Sequence, residues 1–556
     1  MSIVATQLKS KQASLFSAFQ ETAARMGERV ALKGDGGKGQ IYTYRGVTEK
    51  VKRVAEGLGA SEFAQRDRVG LLSENRPEWV VAYLAILAAG KTVVPIDANL
   101  KSSEIGNIVE DAKLDLIFVS GAFEKLLHTA YPHTRLLSFE EDSANSWTRI
   151  EKPPSRASVE PNEAAVLIYT SGTTGAPKVV VLTHRNLLAN LEGVEDALRF
   201  GPSDVFLSVL PLHHTFEATC GFITPLISGA TIVYARSLKS KQILEDLGFN
   251  RATLMCGVPL LFEKMYHSII RKVQESTWPR RLMFNGLLAL SGIGWRLGFK
   301  WGRGLFRSAR NAAGIGTIRM LVSGGAPLPP EIARFFNLFG IDFLQGYGLT
   351  ECSPVVSVNR PDDIEFGSIG VPLSNLQIRI FEPDETGVGE ILVKGDSVMA
   401  GYLNNPGKTA EVLRDGWFHT GDLGHFRKGH LWITGRKKNV IVSAAGKNIY
   451  PEELEERLLA SPYVLEAVVF GRKKEARQGE EIRAIIVPDL EQVKADWGEI
   501  DESPTSPRIL EVIGQVVTDL NEQMADFKRI KGFEVQFEEF EKTSTKKIKR
   551  FAYLNR

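Results

Sequence analysis

A loop rich in glycine and hydroxyl side chains, YTSGTTGAPK at residues 169–178, has the clearest chemical potential in the sequence. Its glycines allow a ligand to approach the backbone closely, its serine and threonines supply hydroxyl donors, and Lys178 supplies a positive charge. This combination suits a polyphosphate. The loop is not a Walker A loop, because the spacing G-x-x-x-x-G-K-S/T is absent. In isolation, the same composition is also compatible with an ordinary turn.

Seven further segments follow this loop, and their order favours the functional interpretation. Together with the loop they resemble the motifs of the adenylate-forming superfamily, which includes acyl-CoA synthetases, luciferases and nonribosomal-peptide adenylation domains. The resemblance extends from about Ser14 to Arg550, and within the superfamily the chain is most similar to long-chain fatty acyl-CoA synthetases. The segments are LPLHH (210–214), SGGAPL (323–328), QGYGLTE (345–351), GEILVKGDSVMAGY (389–402), WFHTGDLG (417–424), GRKKNVIVSAAGKNIYPEELE (435–455) and KTSTKKIKR (542–550).

The resemblance implies how the chain binds ATP and Mg²⁺. The loop corresponds to the family segment that holds the β- and γ-phosphates, although Val179 follows it where the family usually has Gly. Thr350 and Glu351 correspond to the contacts with the α-phosphate and with Mg²⁺, and a carboxylate oxygen is a ligand that this hard cation prefers.

The resemblance also assigns the nucleoside. The glycines of SGGAPL and Tyr347 would surround adenine, and Asp422 would accept both ribose hydroxyls with the help of Arg436. The residues expected to bind ATP or AMP are Thr170, Ser171, Gly172, Thr173, Thr174, Gly175, Lys178, Gly324, Gly325, Ala326, Gln345, Gly346, Tyr347, Gly348, Asp422 and Arg436.

Other residues correspond to the family's catalytic and mobile elements. Lys547 aligns with the lysine that bridges the carboxylate and the α-phosphate in the transition state, although Lys546 replaces the usual Gly and a solvated basic tail is the alternative. His214, beside His213, would border the acyl pocket, with Thr350 and Glu351 completing the catalytic set. Lys438 corresponds to the hinge between two half-reactions, and Gly446 to a glycine of the coenzyme A tunnel.

The pattern of elements around these residues predicts an α/β fold. Short β-branched runs alternate with helical patterns up to residue 322, which indicates parallel sheets. Strand and turn patterns dominate 367–432 and predict a β subdomain, while a mixed pattern follows Gly435. We therefore expect a large N-terminal domain at 1–434, made of parallel-sheet α/β subdomains plus the β subdomain, and a small mobile α+β domain at 435–556.

The composition excludes several classes of protein. The chain has 556 residues, 43% of them hydrophobic and 24% charged, which is typical of globular proteins and calls for more than one domain. Lys and Arg (68) nearly balance Asp and Glu (66), so nucleic acid is not an expected partner. Three scattered cysteines do not make a disulfide framework or a four-ligand zinc site. The N-terminus lacks the apolar core of a signal peptide, and a cytoplasmic location is expected.

Residues 279–310, the basic segment, contain seven Lys or Arg and no Asp or Glu. These are interleaved with leucine and aromatic residues, and the approximately helical spacing of Trp295, Phe299 and Leu305 predicts one exposed face shared with lipid. The composition fits a helix lying on anionic lipid, at the cytoplasmic face of a membrane, or a dock for an acidic carrier protein; a solvated face is the alternative.

The expected reaction is ATP-dependent activation of a fatty acid to acyl-AMP, followed by transfer to the thiol of coenzyme A to give long-chain acyl-CoA, AMP and pyrophosphate. Thr215 stands where amino-acid-activating relatives keep an Asp, which counts against an amino acid substrate. An acyl-[acyl-carrier-protein] ligase shares the first half-reaction and is the closest alternative. A noncatalytic nucleotide-binding or membrane-scaffold protein is an alternative from another class.

Overall fold

The computed structural model describes residues 14–59, 63, 65–149, 159–170, 178–443, 446–473, 479–499, 501, 503–542 and 548–553. These residues divide into two compact units. The first comprises the described residues of 14–170, 178–377 and 393–418, and the second those of 378–392 and 419–553.

The first unit contains a nine-stranded sheet with six parallel strands. Antiparallel strands flank these six on both sides. This arrangement confirms the predicted parallel sheet, because buried β-branched runs separated by helices pair in this way. In spatial order the strands are Val371–Pro372, Val355–Val358, Asp342–Gly348, Met320–Ser323, Leu254–Gly257, Val205–Ser208, Thr231–Tyr234, Val30–Lys33 and Ile41–Thr43.

A seven-stranded sheet, also in the first unit, carries both ends of the glycine-rich loop. Its strands from Ala164–Thr170 to Arg135–Ser138 are parallel, and Lys178–Thr183 and Gly401–Tyr402 add to the edge in antiparallel fashion. The spatial order is Gly401–Tyr402, Lys178–Thr183, Ala164–Thr170, Thr92–Ile96, Arg68–Leu72, Leu116–Val119 and Arg135–Ser138.

Helices connect the strands of these sheets. The helix Pro77–Ala88 contains the longest apolar run of the sequence and is buried, with Trp79 stacked on Tyr83 at 5.3 Å between ring centroids. Among the helices of the described residues, none is both long enough and apolar enough to cross a bilayer. The α-helices of the first unit are Leu15–Met26, Tyr44–Leu58, Pro77–Ala88, Ser102–Asp111, Gly121–Ala130, His184–Leu198, Thr224–Ile227, Ser240–Phe249, Pro259–Gln274, Trp278–Arg296, Gly302–Leu305, Arg307–Ala312, Pro330–Leu338 and Pro406–Val412.

The predicted β subdomain is present as a five-stranded sheet of Gln377–Phe381, Gly389–Lys394, Trp417–Arg427, Leu413–Arg414 and His430–Arg436. The C-terminal part of the second unit is mixed, as expected. A three-stranded sheet of Val464–Lys473, Glu480–Pro488 and Gly532–Val535 packs with Pro451–Leu459 and Pro507–Glu522 around one apolar cluster. The strand pair Ile441–Val442 and Asn448–Ile449 and the helix Leu490–Trp497 complete this part.

The basic segment is helical, but three of its seven charges have internal partners. Lys300 Nζ lies 2.6 Å from Asp342 Oδ1, and Arg303 Nη2 lies 2.6 Å from Asp342 Oδ2. Arg310 is buried and donates to the backbone carbonyls of Gly302, Arg303 and Phe339. These three side chains therefore hold the segment against the rest of the first unit.

The expectation that Trp295, Phe299 and Leu305 share one exposed face is wrong. Trp295 stacks on Phe366 with ring centroids 5.4 Å apart, and Leu305 packs against the apolar cluster of the first unit that contains Phe306 and Phe339. Phe299 alone of the three is exposed. The chain turns after Arg296, so helical spacing does not continue from Trp295 to Leu305.

Candidate functional site

The glycine-rich loop begins and ends at neighbouring positions of one sheet. Thr170 and Lys178 are partners in the antiparallel pairing, and the Thr170 hydroxyl donates to the Lys178 carbonyl oxygen at 3.1 Å. Val179, which replaces the family's Gly, is buried in an apolar cluster that also contains Leu167. The loop residues Ser171, Gly172, Thr173, Thr174 and Gly175 lie outside the described residues.

Lys178, Tyr402 and Glu351 form a connected group at the end of this loop. The Lys178 ammonium lies 5.0 Å from the centroid of the Tyr402 ring, and the Tyr402 hydroxyl donates to Glu351 Oε1 at 2.9 Å. Backbone pairing with Val180 fixes Tyr402 at the edge of the seven-stranded sheet. The Met399 N–H donates to the Glu351 carbonyl oxygen. Three segments that are distant in sequence thus meet at Tyr402.

The Tyr402 hydroxyl remains a donor. Burial of the ring and the neighbouring charge of Glu351 raise the pKa of Tyr402 well above its usual value, so the phenol stays protonated at neutral pH. The half-buried carboxylate of Glu351 is therefore oriented by a neutral donor and presents hard oxygen atoms of the kind that Mg²⁺ prefers. These residues fit a Mg²⁺–phosphate group.

Thr350 connects this group to the LPLHH segment. Its hydroxyl lies 3.4 Å from the hydroxyl of Thr215, which is buried one residue after His214. Thr350 belongs to the short 3₁₀ turn Thr350–Cys352 that follows the strand Asp342–Gly348. The turn places the Thr350 hydroxyl and the Glu351 carboxylate on consecutive residues.

His213 lies between His214 and Asp97, a contact that sequence reasoning missed. The Nε2 atoms of His213 and His214 are 3.1 Å apart, and His213 Nε2 is 3.3 Å from Asp97 Oδ2. The three side chains offer ligand atoms within 4.8 Å of one another, so they can hold a proton or a metal ion. Asp97 directly follows the strand Thr92–Ile96, and ligands of open α/β sheets bind at the carboxyl ends of strands, a signal that points to this residue.

Small residues after the strand Met320–Ser323 leave room for a flat ligand. Gly325 has a φ of +88°, and Ala326 is exposed. A Cβ atom at Gly324 would lie 3.0 Å from Cζ of Phe216, so a larger residue there would press on that ring.

Two buried polar atoms lie on neighbouring strands beside these small residues. Ser323 and Gln345 are partners in the parallel pairing, and Ser323 Oγ and Gln345 Oε1 have no hydrogen-bond partner among the described residues. Buried polar atoms are normally paired, so this pair fits the polar edge of a bound base. Further along the strand, Gly346 is half-buried and Tyr347 is buried, and a Cβ atom at Gly348 would lie 2.0 Å from the Pro354 carbonyl oxygen.

Asp422 and Arg436 form an ion pair in the second unit. They are partners in the pairing of Trp417–Arg427 with His430–Arg436, and Arg436 Nε lies 2.7 Å from Asp422 Oδ1. The Asp422 side chain is buried, and its backbone N–H donates to the Thr420 hydroxyl at 3.0 Å. A carboxylate held in this way can accept the two hydroxyls of a vicinal diol.

Glu390, which the sequence analysis did not single out, lies on the strand Gly389–Lys394, next to the strand that carries Asp422. It accepts from the Gly421 N–H at 3.1 Å and from Lys437 Nζ at 2.9 Å, and His419 Nδ1 lies 3.3 Å from it. Burial opposes its ionisation, but the hydrogen bonds from Lys437, His419 and the Gly421 N–H, together with the charge of Lys437, lower the pKa of Glu390. The ionised carboxylate therefore fixes the turn that precedes Asp422.

The remaining predicted residues lie in the C-terminal part of the second unit. Lys438 lies in the 3₁₀ turn Lys437–Asn439 that directly follows His430–Arg436, and its side chain is exposed. Gly446 has a φ of +73°, and nothing lies within 4 Å of a Cβ atom built there. Lys546 and Lys547 lie outside the described residues.

Comparison with known proteins identifies similar chains along almost the whole length. A family model described as AMP-binding enzyme matches residues 19–403, and one described as AMP-binding enzyme C-terminal domain matches residues 453–547. The chain is 30% identical over 545 residues to long-chain-fatty-acid–CoA ligase FadD15 of Mycobacterium tuberculosis, covering 90% of this chain and 88% of that protein. It is 30% identical over 507 residues to long-chain-fatty-acid–CoA ligase 1 of Homo sapiens, covering 82% and 70%.

Solved structures share the fold. The crystal structure of ATP-bound MatB from Rhodopseudomonas palustris aligns with a TM-score of 0.77 at 26% identity, covering 97% of this chain and 98% of that chain. The structure of o-succinylbenzoate CoA synthetase (MenE) from Bacillus subtilis, in complex with its acyl-adenylate intermediate, aligns with a TM-score of 0.76 at 24% identity and covers 97% of both chains.

Proposed function

The chain belongs to the AMP-binding enzyme family, and we propose that it activates a long-chain fatty acid as acyl-AMP and transfers the acyl group to coenzyme A. It is an acyl-CoA ligase of this family, and adenylate-forming ligases use ATP, Mg²⁺ and coenzyme A. The geometric observation that carries the proposal is the group of Lys178, Tyr402 and Glu351 at the end of the glycine-rich loop. The long acyl chain is inferred from relatives named as long-chain-fatty-acid–CoA ligases.

In the first half-reaction a carboxylate oxygen of the fatty acid attacks the α-phosphorus of ATP. The bond from that phosphorus to the bridging oxygen breaks, and pyrophosphate leaves with the electron pair. Lys178 and the Thr350 hydroxyl would stabilise negative charge on phosphate oxygens, and Glu351, oriented by Tyr402, would hold Mg²⁺. Mg²⁺ neutralises charge on the phosphates when it is bound.

The nucleoside would be held by backbone and carboxylate contacts. The small residues Gly324–Ala326 would lie against adenine, with Gln345 and Tyr347 on the neighbouring strand. Asp422 would accept the ribose hydroxyls, while Arg436, whose Nε lies 2.7 Å from Asp422 Oδ1, orients this carboxylate.

In the second half-reaction the sulfur of coenzyme A attacks the acyl carbonyl carbon. The bond from that carbon to the phosphate oxygen breaks, AMP leaves, and the thiol gives up its proton. We propose that residues 435–556 move as a domain between the two half-reactions, with Lys438 as the hinge. Lys547 would act in the first half-reaction, and Gly446 would contact coenzyme A in the second.

Transfer to an acyl carrier protein is the second candidate, favoured by Lys546 in place of the family's Gly and by the basic segment. A single experiment separates the two. The purified protein is given ATP, Mg²⁺ and fatty acids of C8 to C20, with coenzyme A or with holo-carrier protein, and the thioester is identified by mass spectrometry.

We expect acyl-CoA as the product, with kcat/KM highest for the longer acids. Benzoate, an aromatic control acid, should be activated poorly. If acyl-carrier protein forms in preference to acyl-CoA, the acceptor is the carrier protein and not coenzyme A. Absence of ATP/pyrophosphate exchange that depends on any of these acids would refute the enzymatic proposal and support a noncatalytic nucleotide-binding or scaffold protein.

A further inference from the structure

The helix Trp278–Arg296 and the turn after it expose an unusual concentration of large apolar side chains. Eight of the twenty exposed large hydrophobic side chains among the described residues fall within residues 278–301, with exposed fractions from 40% at Trp301 to 70% at Trp278. Single exposed hydrophobic residues are common, whereas a contiguous group marks a surface that binds something.

The six of these side chains that lie between residues 278 and 297 share one side of the helix. At about 100° per residue, the helical members and the cap residue Leu297 fall within an arc of about 140°. Phe284, Leu287 and Leu288 lie outside this arc and pack against the apolar cluster of the first unit. The exposed side, with Phe299 and Trp301 after the helix, is called the docking face here; its helical members are Trp278, Leu282, Met283, Leu290, Ile293 and Leu297.

The charged residues of the segment that carries the docking face are all basic. No Asp or Glu occurs between Glu275 and Glu331, and Arg280, Arg281 and Arg296 are exposed on the same helix. Lys300 and Arg303, in contrast, pair with Asp342, so they serve to anchor the segment. The docking face therefore combines an apolar strip with basic side chains that have no acidic residue near them in sequence.

We propose that the docking face lies on the surface of a bilayer that contains anionic lipids. An apolar helix face flanked by arginines is typical of helices that lie in the membrane interface, and tryptophans at both ends suit the headgroup level. The helix is about 28 Å long at 1.5 Å per residue, and it presents a continuous apolar strip, which fits a fluid lipid surface better than a partner that must pair each charge. This inference is independent of the proposed reaction.

The test is co-sedimentation of the purified protein with vesicles of phosphatidylcholine alone or with 30% phosphatidylglycerol, in low and high salt. We expect binding to the anionic vesicles that weakens with salt, because electrostatic attraction is screened. Changing Arg280, Arg281 and Arg296 together to Gln should weaken binding to anionic vesicles by about fivefold for each arginine, or about 100-fold in total. Lys300 and Arg303 are left unchanged because Asp342 depends on them.

The apolar contribution is tested with Leu282→Gln, Ile293→Gln and Leu297→Gln combined, which should lower binding at least about tenfold. A matched control changes Leu238, Leu459 and Leu465 to Gln, three exposed leucines elsewhere in the chain. This control should bind vesicles like the parent protein. Thermal unfolding shows whether each variant is folded.

Insertion is tested directly with a fluorophore. Since all three native cysteines are buried, Ile293→Cys can be labelled with an environment-sensitive dye, with Leu238→Cys as the control. A blue shift on anionic vesicles at position 293 and none at position 238 is the expected result. The proposal is overturned if the parent protein does not bind these vesicles, if the Leu282, Ile293 and Leu297 changes leave binding unaltered, or if they instead abolish self-association or capture of an acidic carrier protein.

Discussion

Replacing Asp422 by Asn tests the proposed ribose contact, because the change removes the negative charge while nearly preserving the size of the side chain. Asp422 is buried, and Arg436 Nε lies 2.7 Å from its Oδ1. A carboxylate accepts up to about four hydrogen bonds, so the ion pair is compatible with two more from a diol. The amide of Asn has one acceptor oxygen, which Arg436 would attract.

The magnitude follows from the charge of the acceptor. A hydrogen bond to a charged group contributes about 1.5 to 3 kcal/mol, which corresponds to about 10- to 100-fold in binding. We therefore expect Asp422→Asn to raise KM for ATP by about 10- to 100-fold and to change kcat much less. Because Arg436 is 40% exposed, water solvates its charge in the variant, and the free energy of unfolding should fall by no more than about 1 kcal/mol.

The assay is ATP/pyrophosphate exchange with ATP and with 2′-deoxy-ATP. The parent enzyme should lose about tenfold or more in kcat/KM with the deoxynucleotide, whereas Asp422→Asn should lose less than about threefold, since its contact is already gone. Asp396→Asn, at an exposed Asp that pairs with Arg185 on the surface, is the matched control. An equal penalty for 2′-deoxy-ATP in the parent and in Asp422→Asn would refute the ribose assignment.

Three further outcomes are expected. Tyr402→Phe removes the hydrogen bond to Glu351 and should raise the Mg²⁺ concentration for half-maximal exchange by about tenfold. Burial raises the pKa of Glu217 to about 8, so the stability that its proton contributes is fully present below about pH 4.5 and is lost as the pH rises to about 8. Glu217→Gln should therefore gain in unfolding free energy relative to the parent protein, by about 1 kcal/mol per pH unit across that window, measured by urea unfolding. Lys547→Ala should slow acyl-adenylate formation by about 100-fold or more and spare thioester formation from supplied acyl adenylate.

Each of these outcomes has its own control. Tyr463→Phe removes a phenol that donates to Asp496 on the surface, and it should leave the Mg²⁺ requirement unchanged. A difference in stability that is constant with pH would contradict the buried, protonated state of Glu217. Near-normal pyrophosphate exchange in Lys547→Ala would place the catalytic role on Lys546 or on another residue.

The sequence alone shows the short motifs and their order, because each motif is local. The α/β class, the parallel sheets and the β subdomain follow from hydrophobic periodicity, which reflects how each element buries its own side chains. The pairing of Asp422 with Arg436 also lay within reach, since a short turn connects the strands that carry them.

Contacts between distant segments were decided by the tertiary structure. Tyr402 donates to Glu351 across 51 residues of sequence, and this contact depends on Gly401–Tyr402 joining the edge of the seven-stranded sheet. His213, five residues after Val205–Ser208 of the nine-stranded sheet, contacts Asp97, which directly follows Thr92–Ile96 of the seven-stranded sheet, and no local pattern relates the two residues. Sheet order, which sets such meetings, arises from long-range packing that a single sequence does not reveal.

The basic segment shows the same division most clearly. Its composition alone indicated a helix rich in positive charge and apolar side chains, and that much is local. Which of these charges pair with a buried carboxylate was decided by Asp342, 42 residues from Lys300, because burying that carboxylate requires cationic partners. Helical spacing placed Trp295 and Leu305 on one face with Phe299, whereas contacts with distant residues leave both half-buried and Trp278, Leu282 and Ile293 exposed. The sequence by itself thus determined the residues available for chemistry, and the long-range burial of charge and apolar surface determined where each of them faces.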